Sequence, residues 1–302
     1  MRKMLTVTAV LSFSAAYGGI VTENGASLVI NSGATVVTHG MINKGTIINN
    51  GTIDNDGDWS NTGTAAVDNL VKFTGTSAQS ISGATDFQTV HLDNAAGASL
   101  AAGANVTINE VLELRTGTFA TGSANLTFLS NSVTHCAIID NFSPGFSGTV
   151  SGNINAQRYH ASAVGTFNQH LFGSPVNNGA FSDYTLLSGT NGVAVTPTAD
   201  CNETELDPSS NHGNVFEFNE SLVSSCHLEG WVVRSSGSMS NGRGYSVAIA
   251  GAGTVVTTGV PNLNALYTQT GLNNSNWSTT SLQGNPYNSG WHLLANPYLA
   301  SI

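Results

Sequence analysis

Glycine recurs at every sixth position between residues 45 and 68, where the chain divides into the hexads GTIINN, GTIDND, GDWSNT and GTAAVD. The third position is always apolar, and the fifth is asparagine in three of the four hexads. These positions are Ile47, Ile53, Trp59 and Ala65, and Asn49, Asn55, Asn61 and Val67. A period of six fits a short strand and a turn, so equivalent side chains can stack in successive turns, with aliphatic groups inside and amides at the corners. The pattern predicts a β-solenoid.

Beyond residue 68 the repeat lengthens, while short alternating apolar and polar segments continue between turns rich in Gly, Ser and Asn. These segments are Val71–Phe73, Val90–Leu92, Val106–Ile108, Val111–Leu114, Leu126–Phe128 and Ala137–Ile139. We interpret the segment NFSPGFSG around Pro144 as the end of this array. Residues 19–147 are therefore predicted to form one solenoid with narrow early turns and wider later ones.

The pattern changes after residue 147. Isolated β segments with aromatic residues follow at 156–160, 214–219, 230–235 and 244–250, with turn signals between them. No segment after the N-terminus sustains the apolar 3.6-residue periodicity of a helix. We therefore predict an all-β chain in which residues 148–302 form a β-sandwich-like module, truncated at its C-terminal end.

The first 18 residues are typical of a secretory signal peptide. Arg2 and Lys3 precede the apolar run Leu5–Phe13, which ends in small residues. This run is about half of the roughly 20 residues that cross a bilayer. We expect cleavage after Ala16 or Gly18, no transmembrane segment in the mature chain, and an extracellular or outer cell-surface location.

Charged residues make up only 9% of the chain, against about 25% in ordinary soluble domains. Amides and hydroxyls must therefore keep the surface hydrated. Arg2 and Lys3 are two of the eight basic residues, so the remainder carries six against 18 acidic ones. This balance excludes nucleic acid and anionic membrane surfaces as partners, since both require basic patches.

Three cysteines fit an oxidising compartment in which one pair is bridged. Cys201 and Cys226 both flank the strand predicted at 214–219, whereas Cys136 lies in the predicted solenoid. We predict a disulfide between Cys201 and Cys226. Because no CxxC spacing occurs, a zinc site is not expected.

Two parts of the chain resemble exported bacterial proteins. The stretches IDNDGDWSNTG and FTGTSAQSISGATDFQTVHLDNAAGASLAAGANVTINEVLELRTGTF resemble the repeats of secreted Bacteroidetes surface proteins. Downstream, GNINAQRYH, LFGSPV, NVFEFNES, GWVVRSSGSMSNGRGY and GWHLLANPYLASI resemble, in this order, landmarks of a module in proteins exported by type IX secretion. The resemblance implies export across the outer membrane, attachment or release at the cell surface, and a structural or adhesive role without catalytic residues.

Such proteins usually end in a C-terminal sorting domain, whereas this chain stops at Ile302 within the last landmark. The final strand segment, Trp291–Leu294, also needs a following partner for its backbone groups. We therefore expect the gene to continue beyond Ile302 into further β modules and a sorting domain.

Asp54, Asp56 and Asp58 alternate like the first ligands of a calcium loop. The EF-hand spacing then fails, because Trp59 and Ala65 stand where Gly and Glu are required. We therefore interpret the three aspartates as parts of solvated solenoid turns, with calcium ligands as the alternative.

No catalytic or cofactor signature accompanies these residues. HExxH, GxSxG, Walker A and Rossmann patterns are missing, and the acidic residues do not form the pair of carboxylates that glycoside cleavage requires. Trp231 and Trp291 each follow a glycine, and such aromatic side chains either pack over glycine backbone or stack on a sugar ring.

These patterns favour a non-enzymatic, structural or adhesive surface protein without a cofactor. The alternative is a carbohydrate-binding module of a larger secreted glycan-degrading protein, with Trp231 and Trp291 as stacking residues. Glycans or surface proteins are the expected partners.

Overall fold

The computed structural model describes residues 4–7, 11–12, 18–161, 169–185, 215–218, 231–234, 236–248, 252–263, 268 and 293–299. These residues are all-β apart from one helical turn, α1 (Ser182–Thr185). The chain divides into two compact units. The first contains residues 1–157, 259–263 and 299–301, and the second contains residues 158–258, 264–298 and 302.

The first unit is a β-solenoid made of parallel strands. In chain order the strands are β1 (Met4–Val7), β2 (Leu11–Ser12), β3 (Ile20–Thr22), β4 (Ser27–Ile30), β5 (Thr35–Thr38), β6 (Met41–Asn43), β7 (Thr46–Asn49), β8 (Thr52–Asn55), β9 (Trp59–Asn61), β10 (Thr64–Phe73), β11 (Gln79–Asp93), β12 (Ala98–Leu100), β13 (Asn105–Thr116), β14 (Thr118–Ala120), β15 (Asn125–Phe128), β16 (Ile138–Asp140), β17 (Thr149–Ser151) and β18 (Ile154–His160).

The strands stack in three parallel columns, one on each face of the solenoid. The first column contains β1, β4, β7, the first part of β10, the middle of β11, the first part of β13, β15 and β18. The second contains β2, β5, β8, the ends of β10, β11 and β13, and β16. The third contains β3, β6, β9, the start of β11, β12, β14 and β17.

One turn of the solenoid takes three hexads. Thr46 pairs with Thr64, and Thr52 pairs with Leu70, so residues 18 apart are neighbours. Successive hexads thus lie on three different faces, and stacking occurs between every third hexad. Later turns are longer, because Val90 pairs with Leu112. Parallel pairing continues beyond residue 147 through β17 and the first part of β18. Residues 158–160 at the end of β18 belong to the second unit.

The repeated Asn-x-Gly segments form the corners. The Asn49 Oδ1 atom accepts a hydrogen bond from the Gly51 backbone N–H at 3.2 Å, and Asn61 does the same for Gly63. This is the Asx turn that asparagine favours. A Cβ on Gly51 would overlap the carbonyl oxygen of Ala34 in the previous turn. Glycine recurs every six residues because two turns of backbone approach closely at each corner.

The interior contains one apolar stack for each face, as the hexad pattern predicts. On the second face, Ile53 lies between Val36 and Val71, and all three are fully buried. Where the repeat lengthens, aromatic rings fill the interior, with ring centroids of Trp59 and Phe87 5.2 Å apart. Buried asparagines also pair between turns, since Asn43 Nδ2 donates to Asn61 Oδ1 at 2.8 Å.

The second unit contains β19 (Gln169–Phe172), β20 (Val215–Phe218), β21 (Trp231–Val233), β22 (Tyr245–Ala248) and most of β23 (Gly253–Gly259). An antiparallel sheet has the order β19-β22-β20-β21. Its buried core residues are Phe181, Val215, Met239, Tyr245, Val247 and Val255. The described residues thus provide one four-stranded sheet, whereas a sandwich requires a second sheet packed against it.

Candidate functional site

Asp54, Asp56 and Asp58 each contact a different partner in an adjacent turn. Asp54 Oδ1 accepts a hydrogen bond from the Thr74 hydroxyl at 2.5 Å, and Asp58 Oδ1 accepts one from the Ser80 backbone N–H at 2.7 Å. Asp56 Oδ2 lies 2.7 Å from Nδ1 of His39. The alternation that resembles a calcium loop therefore serves, in this structure, to join neighbouring turns.

The other predicted site residues lie partly or wholly outside the described region. Cys201, Cys226 and Trp291 are outside it, so the predicted disulfide and one stacking residue stay predictions. Trp231 begins β21, opposite Phe218 of β20, but only its backbone is described. Across the described residues, no group of three His, Cys, Asp or Glu side chains could hold a metal ion. Asp54, Asp56 and Asp58 are among the residues to which this applies.

The structure brings together a row of ionisable side chains on the outer surface of the second column. Lys72, His91, Glu113 and Asp140 occupy the same register position in four successive turns. His91 Nε2 lies 3.0 Å from Glu113 Oε2, and Arg115 Nη2 lies 2.8 Å from the same oxygen. One carboxylate thus joins an imidazole and a guanidinium.

The electrostatics of this row favour a neutral imidazole. Burial is the main cause that lowers the pKa of His91, and the positive charges of Arg115 and Lys72 act in the same direction, whereas Glu113 opposes them. The Arg115 guanidinium also lies over the Phe146 ring, 5.7 Å from its centroid. The contact between His91 and Glu113 joins adjacent turns, whereas Arg115 contacts Glu113 within β13.

A second ionic cluster lies in the second unit. Glu217 of β20 is nearly buried and contacts two arginines, with Arg234 Nε at 2.7 Å from Oε2 and Arg243 Nη1 at 2.7 Å from Oε1. Glu217 pairs in register with Tyr245, whose hydroxyl accepts a hydrogen bond from the Ser240 backbone N–H at 2.8 Å. A buried carboxylate needs such partners to remain charged. The cluster therefore ties β20 to the chain segments that carry the two arginines.

Two histidines of the second unit also pack together. The rings of His160 and His170 are 5.2 Å apart and nearly perpendicular. Burial lowers the pKa of His160 to about 4, with smaller contributions in the same direction from His170 and Arg158. His160 is therefore neutral at pH 7 and gains a proton in the folded chain only in acid.

The third column presents a surface of small hydroxyl side chains. Ser60, Ser82 and Ser99 point outward in successive turns, and the Ser82 hydroxyl donates to the Trp59 carbonyl at 3.3 Å. At the N-terminal end of the same column the outward residues are instead apolar. Val21 and Ile42 are paired in register and are 49% and 44% exposed.

The sequence alone does not reveal these clusters. His91 and Glu113 are 22 residues apart. The six-residue repeat predicts which residues pair only between residues 45 and 68, because the later turns are longer. Glu217 lies in the segment NVFEFNES, and Arg234 and Arg243 lie in GWVVRSSGSMSNGRGY, so no short motif joins the three. The signal available in the sequence is the scarcity of basic residues, since Arg234 and Arg243 are two of only eight.

No family model, curated protein or solved structure matches this chain. Among the described residues, no helix has the length and apolar character needed to cross a membrane. Functional inference therefore rests on the chain's own residues and geometry.

Proposed function

We propose that this chain is an exported, non-enzymatic structural or adhesive protein of the bacterial cell surface. The solenoid supplies a rigid, weakly charged spacer, and the second unit supplies a binding surface. In this proposal the chain beyond β18 forms a β-sandwich-like module to which the four-stranded sheet contributes one layer. The route is type IX secretion, as the resemblance to Bacteroidetes surface proteins implies.

The observation that carries the proposal is how the solenoid uses its polar side chains. Buried asparagines bond neighbouring turns, and Glu113 contacts His91 of the previous turn. Asp56 contacts His39, and Glu23 contacts Lys44. Interactions between turns stabilise a stacked array as a whole, because each turn is unstable without its neighbours. Such an array favours mechanical over chemical function.

Export is supported by the N-terminal sequence and by composition. Two basic residues precede a short apolar run, as in secretory signals. A surface built from amides and hydroxyls also suits a protein that meets glycans or other surface proteins, because such partners are recognised by hydrogen bonds and aromatic stacking rather than by charge.

The export proposal is tested by determining the N-terminus of the protein recovered from intact cells and from the medium. We expect it to begin at residue 17 or 19, and we expect protease added to intact cells to degrade the cell-bound fraction. Recovery of the protein only inside the cell, with Met1 retained, would refute export.

The adhesive role is tested by comparing the binding of wild-type cells and cells lacking the gene to host and plant surfaces. Loss of binding that returns with the gene supports adhesion, whereas unchanged binding contradicts it. A glycan array addresses the alternative of a carbohydrate-binding module. Specific sugar binding that is lost in Trp231→Ala or Trp291→Ala, with circular dichroism unchanged, would favour that alternative.

A further inference from the structure

The solenoid has a strand-accepting edge at its N-terminal end, formed by β4 and β5. In the full chain this edge is occupied. β1 pairs in parallel with β4, from Met4 opposite Ser27 to Val7 opposite Ile30, and β2 pairs with β5, with Leu11 opposite Val36. The backbone of β4 and β5 is therefore able to bind an additional strand in regular register.

The strands that occupy this edge lie within the predicted signal peptide. The inference below rests on the proposed function, because export with cleavage after Ala16 or Gly18 removes both β1 and β2. The processed chain then retains β4 and β5 without the partners that satisfy their backbone N–H and C=O groups on this side. Such an edge is a template for pairing with another chain.

The N-terminal edge lacks the features that usually prevent such pairing. Residues 24–38 contain no charged residue and no proline, whereas native edges commonly carry one or the other. In the register of the second face, outward-facing Val37 corresponds to Asp54 and then to Lys72 in the next two turns. At this register position the interior turns thus carry a charged residue, whereas the N-terminal turn does not. Val37 is also 37% exposed.

The charges near this edge favour an identical partner. Lys44 Nζ lies 3.2 Å from Glu23 Oε1, and His39 contacts Asp56, so these groups are paired within their own chain. An uncharged edge allows close approach of two copies that both have a net negative charge. A two-fold axis across the edge would pair equivalent strands antiparallel and bury the same surface of each copy.

At the opposite end of the solenoid, β16 is bonded by later segments of the same unit. The Ile139 backbone N–H of β16 donates to the Leu299 carbonyl at 2.7 Å, and Asn141 Nδ2 donates to the Leu263 carbonyl at 3.1 Å. Within the part of the chain that the structure describes, β16 is thus bonded by its own chain, and a two-fold contact through β4 and β5 closes at two subunits. We propose that the processed protein forms a head-to-head dimer through β4 and β5, and that the signal peptide blocks this dimer in the precursor.

The test compares the exported, processed protein with the unprocessed 302-residue chain by size-exclusion chromatography with light scattering. We expect twice the monomer mass for the processed protein and the monomer mass for the unprocessed chain. Hydrogen exchange at residues 27–38 should be slow in the processed dimer. The N-terminus is determined on the same samples, so that a failure of export is distinguished from a failure of dimerisation.

Val29→Lys places a charge on the outer surface of β4 and should yield a processed monomer with fast exchange at residues 27–38. Ile48→Lys is the matched control, since Ile48 is the register partner of Val29 one turn further in. Both side chains are half-buried, and the control should remain a dimer. A processed wild-type monomer, a polydisperse aggregate, or a dimer that survives Val29→Lys with its melting temperature unchanged would each overturn the proposal.

Discussion

Replacement of Ile53 by Asp tests whether the solenoid folds as one unit. Ile53 is fully buried between Val36 and Val71 of the adjacent turns. Loss of its burial removes about 1.5–3 kcal/mol, and a carboxyl group without a partner adds several kcal/mol even when it is neutral. The expected destabilisation exceeds about 4 kcal/mol, which is a large part of the 5–15 kcal/mol that stabilises a typical domain.

Thermal and urea unfolding followed by circular dichroism measure this loss. Hydrogen exchange in β13, several turns away, measures whether the loss spreads along the array, as coupling between neighbouring repeats requires. Thr52→Asp is the control, because the Thr52 side chain points outward on the same strand; it should change stability by less than about 1 kcal/mol. An unchanged melting curve for Ile53→Asp, or faster exchange confined to β8, would refute the reasoning.

Three further predictions concern other parts of the chain. Non-reducing peptide mapping should recover Cys201 linked to Cys226, a bridge over about 25 residues that contributes about 3 kcal/mol; free thiols at both positions contradict it. As the pH falls, the unfolded chain protonates His160 near pH 6.5, whereas in the folded chain the pKa of His160 is about 4. Stability should therefore fall as pH decreases from 7 to 4, and His160→Gln should flatten that slope in thermal melts, whereas parallel slopes would exclude this origin. Gly57→Ala places a Cβ against the backbone of the previous turn and should lower stability by about 1–3 kcal/mol in urea titrations. Unchanged stability would contradict the close approach of the two turns at this corner.

The hexads between residues 45 and 68 determined most of what could be predicted about the fold. Local rules are sufficient there, because an Asn-x-Gly corner and an inward apolar residue recur at a fixed interval. Ile53 is buried, as the pattern predicted. Asn55 and Asn61, which the pattern places only at the corners, are buried as well. The all-β class also follows from sequence, since no later segment has helical periodicity.

Register, and with it every contact between turns, required the tertiary structure. A hexad does not show how many hexads complete a turn, and the number three is known only from the register, in which residues 18 apart are paired. Beyond residue 68, variable turn lengths separate His91 from Glu113 by 22 residues, so no fixed spacing predicts their contact. The alternation at Asp54, Asp56 and Asp58 showed only that the three side chains are close in sequence. Which atoms each of them bonds depends on Thr74, His39 and Ser80, residues that only the stacking of turns brings near.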